Sequence, residues 1–80
     1  MGVSFTWRDY RRLVEKLGLE PTGKGTQGYK GIDQRTGQFR YTQVHDHPGG
    51  IDTATLEKLA RKDLGFTSAY EMVKWYYQNH

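Results

Sequence analysis

Two histidines flank an aspartate in the run Val44-His45-Asp46-His47-Pro48, and cations and an amide are spread over the preceding stretch as Lys24, Gln27, Lys30, Arg35 and Arg40. Imidazole titrates near neutrality, so His45 and His47 are the side chains best suited to moving a proton as general base or acid. In an extended strand the positions i and i+2 point the same way, which sets the two rings side by side. Two other readings stay open. A zinc site wants three or four ligands and the one further histidine is His80, so metal binding is the weakest of the three. A His-x-His-Pro turn that merely lies on the surface is the commonest. Glycines cluster at Gly23, Gly25, Gly28 and Gly31. No P-loop spacing follows them and no G-x-G-x-x-G opens a helix, so no nucleotide cradle and no cofactor is implied.

The cations point to an anionic partner. Lys24, Lys30, Arg35 and Arg40 are opposed within the same stretch by Asp33 alone, which gives that stretch a positive field. The net charge of +3 is divided unevenly, with +4 in residues 1–40 and −1 in residues 41–80. Arg8, Arg12 and Lys16 also recur every fourth residue, as a phosphate-contacting ridge or a solvated helix face. With RNA as the partner, Lys24, Gln27, Lys30, Arg35 and Arg40 are expected to contact phosphates and 2′-hydroxyls, and affinity is expected to fall steeply with salt.

These residues need a scaffold, and the local patterns supply one. Thr26 to Ile32 and Gln38 to His45 are rich in Tyr, Phe, Thr, Val and Ile, and the loop between them contains Asp33 and Gly37, so an antiparallel hairpin is expected. Phe39 and Tyr41 share one face of the second arm while Thr42 and Val44 share the other. Apolar groups on both faces imply a bulge that switches parity or a sheet covered on both sides. Before the hairpin, Thr6 caps a helix from about Trp7 to Leu17, with Trp7, Tyr10, Leu13, Val14 and Leu17 on one stripe and Gly18 as its stop. The Gly18–Gly23 segment, broken by Pro21, allows only a brief edge strand or an extended connection. Beyond the hairpin, Ile51, Asp52 and Leu56 read as staple, N-cap and N4 of a second helix that runs to about Leu64. The Ser68 and Glu71 pair caps a third, from about Ala69 to Gln78. That helix carries Tyr70, Trp75, Tyr76 and Tyr77, more aromatic surface than one stripe accommodates, and the outer face of the sheet or a partner protein is expected to cover part of it. The sum is an α+β fold, a three-stranded antiparallel sheet with helices packed on one face.

Composition bounds the rest. A chain of 80 residues is one domain, and one this short buries only roughly 60% of the surface its unfolded form exposes. Cysteine is absent, so no disulfide framework or thiolate site staples it. The opening MGVSFTWRDYRR lacks an apolar core for export, and no later stretch is long enough to span a bilayer, so the expectation is a cytoplasmic protein without a membrane partner.

From Thr6 to Phe66 the chain resembles the HicA-like toxins of bacterial toxin–antitoxin pairs. The resemblance rests on the first helix ending in EKLG, on KGTQGYK where the family has a Lys-Gly-Ser-His-type turn, on VHDHPGG, and on D-x-x-T-L-E-K-L-A-R-K-D-L-G. It implies a double-stranded-RNA-binding-domain-like α-β-β-β-α core, a messenger-RNA-cleaving activity and neutralisation by a HicB-type antitoxin. Residues 67–80 lie outside it. The family's catalytic residue is the histidine of the Gly-Ser-His turn, which takes the 2′-hydroxyl proton; here Gly25-Thr26-Gln27 stands in that place. Neither Thr26 nor Gln27 acts as a base near neutral pH, so cleavage requires recruitment of His45 or His47, and otherwise RNA is bound without being cut. The competing class is a non-catalytic module, an inhibitor or adaptor that docks a protein partner through its sheet or its aromatic C-terminal helix.

Overall fold

The computed structural model describes residues 5–23, 27–45 and 48–79. It is an α+β fold with one antiparallel sheet of three strands, β1 (Glu20–Pro21), β2 (Gly28–Ile32) and β3 (Phe39–Gln43), in the order β1-β2-β3. Helix α1 (Trp7–Leu17) precedes the sheet, and α2 (Thr53–Lys58) and α3 (Ala69–Gln78) follow it. Thr6 and Asp9 form the reciprocal capping box of α1, with the Asp9 N–H donating to Thr6 Oγ1 at 3.1 Å and the Thr6 N–H to Asp9 Oδ2 at 3.2 Å. Gly18 ends the helix at φ 104°, a left-handed conformation in which its N–H still reaches the Glu15 carbonyl. Pro21 leaves β1 only two residues long and at an edge.

Strand parity divides the hairpin into two surfaces. The pairing runs without a bulge from Gly28↔Gln43 to Ile32↔Phe39, so Tyr29 and Thr42 face inward and Lys30, Ile32, Phe39 and Tyr41 face outward. Regular pairing stops short of the arms expected from composition, but Val44 N–H still donates to the Gln27 carbonyl and Asp33 N–H to Gln38. Under the inner face lies a single core that includes Phe5, Tyr10, Leu13, Val14, Leu17, Tyr29, Val44, Leu56, Leu64, Met72 and Tyr76. Burying each large side chain of this kind contributes about 1.5–3 kcal/mol. The outer face is covered by nothing among the described residues, and Ile32, Phe39 and Tyr41 are 56%, 61% and 48% exposed there. Neither the parity switch nor the double cover occurs: apolar groups stand on both faces because one face is open.

Helix α3 does not cover that face. Its Tyr76 ring meets Phe5 edge-on at 5.3 Å, its Trp75 lies 6.2 Å from Phe66, and Glu57 of α2 accepts from the Ala69 N–H at 2.6 Å. The third helix therefore joins the helical layer, and its surplus aromatics, Tyr70 and Tyr77, remain exposed. Helix α2 passes directly into a π-helical turn, Leu59–Asp63, closed by the Leu64 N–H on the Leu59 carbonyl at 3.1 Å. The wider turn carries Asp63 to β3, where Thr42 Oγ1 donates to Asp63 Oδ2 at 2.7 Å.

The hairpin loop is tied down by one buried carboxylate. Asp33 is fully buried, accepts from the Arg35 backbone N–H at 2.8 Å and from its guanidinium at 3.0 Å, and lies 3.5 Å from Arg40 Nε. The Gln34 N–H donates to the Leu17 carbonyl at 2.9 Å, which joins the same loop to the end of α1. Asp33→Ala leaves two largely buried guanidiniums without their counter-charge and is expected to cost about 3–5 kcal/mol. The check is the urea midpoint of the variant, and an unchanged midpoint contradicts this role.

Candidate nucleic-acid interface

The open face is built from the middle of the hairpin outward. Lys30 and Tyr41 are cross-strand partners at its centre, with Ile32 and Phe39 on one side and Gly28 and Gln43 on the other. A side chain at Gly28 would meet the Tyr41 hydroxyl at 2.9 Å and its Cε1 at 3.1 Å. Because Gly28 has none, the Tyr41 ring lies across β2 instead of standing away from the sheet. Phe39 and Tyr41, two residues apart on one strand, thus stand roughly 6.8 Å from each other on one surface, beside the exposed Lys30. Rings so arranged can stack planar ligands, and the lysine can meet a phosphate.

The other expected contact residues are dispersed. Arg40 alternates to the inner side of β3, lies near Asp33, and donates from Nη2 to Gln38 Oε1 at 2.8 Å. Arg35 binds Asp33 and the Leu64 carbonyl, and its guanidinium carbon sits 3.8 Å from the centroid of Phe66. Their side chains are 20% and 17% exposed for Arg35 and Arg40, respectively. The expected cationic ribbon is therefore corrected: a buried carboxylate demands counter-charges, and the two arginines nearest in sequence supply them. Of the hairpin cations in the described residues, Lys30 alone stands on the open face. Lys24 and His47 lie outside the described residues.

Gln27 and His45 come together at one end of the sheet, through the 2.8 Å bond from the Val44 N–H to the Gln27 carbonyl. The His45 ring packs edge-on against Trp7 with centroids 4.9 Å apart. Together with Arg8, Arg11, Pro48 and Gly49 they border an open cleft of about 510 Å³. Among the described residues no group of three or more His, Asp or Glu side chains is placed to hold a metal ion, and no helix is long and apolar enough to cross a membrane. No protein-family model, curated protein or solved structure matches this chain.

Phe39 and Tyr41 are the surface residues that cation counting passes over. Their signal is the Phe-x-Tyr alternation out of phase with Thr42 and Val44, with Gly28 of the neighbouring strand diagonal to Tyr41. Behind them, Tyr10 and Asp63 bracket Thr42. Thr42 gives its one hydroxyl proton to Asp63, so the Tyr10 hydroxyl donates to Thr42 Oγ1, at 2.7 Å. Burial, with the Asp63 carboxylate acting in the same direction, holds the Tyr10 phenol well above its ordinary range. The unfolded chain releases that proton near pH 10 while the fold retains it, so this contribution to stability is complete below about pH 10 and is lost as pH rises. Tyr10→Phe is expected to flatten the alkaline limb of a stability-versus-pH curve, and an unchanged limb contradicts the assignment.

Proposed function

We propose that this domain binds RNA through single-stranded segments, stacking unpaired bases on Phe39 and Tyr41 of the outer sheet face while Lys30 meets the backbone phosphate. The observation that carries the reading is the pair of half-exposed rings on an uncovered sheet, fixed in place by strand register and beside a lysine. Sequence-tolerant single-strand binding combines these two parts, because every base has a π-face and every linkage a charge. Gln43, on the same face, offers an amide to base edges or 2′-hydroxyls. His45 borders the cleft at the sheet end, where Arg8 and Arg11 add positive charge.

The HicA-like motifs support the same partner class and add two further elements to the proposal, a HicB-type antitoxin and a cytoplasmic site of action. Binding without turnover is the reading favoured by the turn that holds Gln27, whose amide takes no proton near neutrality. His45 is the described imidazole nearest that end of the sheet. Equal RNA turnover by the wild type and His45→Ala removes it from any reaction.

The test is fluorescence anisotropy with a labelled oligouridylate. Phe39→Ala and Tyr41→Ala are each expected to weaken binding by about 1–3 kcal/mol, and Lys30→Gln to lower the slope of log affinity against log salt by about 0.7. Duplex RNA is expected to bind less tightly than the single strand. Unchanged affinity in both ring variants, or binding indifferent to salt, rejects the proposal.

A further inference from the structure

We propose that the cleft between the start of α1 and the end of β3 binds a phosphate monoester, the end group of an RNA strand or the phosphate of a free mononucleotide. This inference does not rest on base stacking at the outer face. Three segments build the cleft. The entry to α1 is bridged to the turn before α2 at Thr6 and Gly50, and the Ile51 N–H donates to the Phe5 carbonyl at 2.8 Å. That pairing brings Trp7, Arg8 and Arg11 to one cleft with Pro48 and Gly49, and His45 enters it from the end of β3. Its volume of about 510 Å³ suits a ligand of nucleotide size.

Charge selects the ligand. Among the described residues, every titratable side chain on the cleft wall is basic. Arg8 and Arg11 stand three apart on α1, a spacing that sets Cβ atoms roughly 5–6 Å from each other. Arg8 is exposed and makes no ion pair among the described residues, so it is the guanidinium that the ligand meets. Asp9 is not on the wall, and its Oδ2 accepts from the Thr6 N–H and hydroxyl. Counted in full against the two arginines, it still leaves one positive charge, and two when His45 is protonated. A guanidinium fork matches phosphate oxygens. A monoester carries about −1.5 to −2 charge at pH 7 and an internal linkage a single one, so the end group is the better counter-ion. Trp7 supplies a wall for the base. Half-buried, it is held edge-on by Tyr10 at 5.9 Å and by His45 at 4.9 Å. It also borders the groove that reaches Tyr41 and Gln43, so a strand end leaving the outer face arrives at the same place.

The test is a titration of the full chain with uridine 5′-monophosphate, followed by NMR at the two indole N–H groups. The Trp7 signal is expected to shift, and that of Trp75, which packs beside Phe66, to stay. Uridine and the methyl diester of the nucleotide are expected to bind at least about tenfold more weakly. Arg8→Glu is expected to abolish the Trp7 shift and keep the melting temperature, because Arg8 is exposed and a carboxylate suits the first turn of a helix. Lys62→Glu makes the same charge change on an exposed residue that does not line the cleft, and is expected to leave the shift intact. Asp46 lies outside the described residues, and Asp46→Asn is expected to keep or raise the affinity. Hexauridylates with and without a terminal phosphate identify the source. A gain of about tenfold from the phosphate assigns the site to a strand end, and equal affinities beside nucleotide binding assign it to a free mononucleotide. The proposal is overturned if the Trp7 signal does not move, if Trp75 moves as far, or if uridine or the diester binds as well as the monoester. It is equally overturned if Arg8→Glu and Lys62→Glu behave alike, or if Asp46→Asn abolishes binding. Stacking on the sheet is tested by other variants, Phe39→Ala and Tyr41→Ala, so either reading can fail alone.

Discussion

A carboxylate enclosed in protein cannot stay charged without partners, and much of this molecule is arranged around meeting that demand at Asp33. Arg35 and Arg40 lie within hydrogen-bond or ion-pair reach of its oxygens, Gly37 donates to its carbonyl at 2.7 Å, and the Gln34 N–H reaches back to the end of α1. The hairpin loop is thereby joined to the helical layer from both sides. Its conformation fixes the register in which β3 returns along β2, and register decides the face on which each side chain appears. A shift of one residue would carry Phe39 and Tyr41 into the core and expel Thr42. Electrostatics at the loop thus determine what the sheet displays, and they also withdraw two arginines from the surface that their sequence positions suggest.

The second fastening lies at the other edge of β3. The π turn after Lys58 places Asp63 against Thr42, and Thr42 in turn receives the Tyr10 hydroxyl, so α1, β3 and the end of the second helix share one hydrogen-bonded line. This line holds α2 beside β3 without covering its edge. A groove results, flanked by main-chain groups on one wall and a lysine on the other. Outer face and free edge are therefore two products of one constraint: the helices of the described residues pack beneath or beside the sheet, and none of them closes its top or its free edge.

Much of this fold is legible in the residues. Thr6 with Asp9, Gly18, Asp52, and Ser68 mark helix ends because capping is a local matter of a few hydrogen bonds. The stripe through Tyr10, Leu13, Val14 and Leu17 and the brevity of β1 at Pro21 follow equally from local chemistry. The roles of Arg35 and Arg40 do not. In sequence they read as exposed cations, and only the depth of Asp33 in three dimensions turns them inward. The docking of α3 is equally non-local, since Tyr76 finds Phe5 at the opposite end of the chain. As for the surface, Phe39 and Tyr41 are recognisable as sharing a face, but whether that face is covered depends on where α3 goes.

Ultraviolet cross-linking of an oligouridylate to the intact protein, followed by mass-spectrometric location of the adducts, addresses the outer face most directly. Adducts are expected on the peptide that holds Phe39 and Tyr41, and are expected to disappear when both are alanine. Adducts confined to Tyr70 and Tyr77 of α3, or bound RNA that cross-links equally well to the double variant, would contradict recognition by the open sheet.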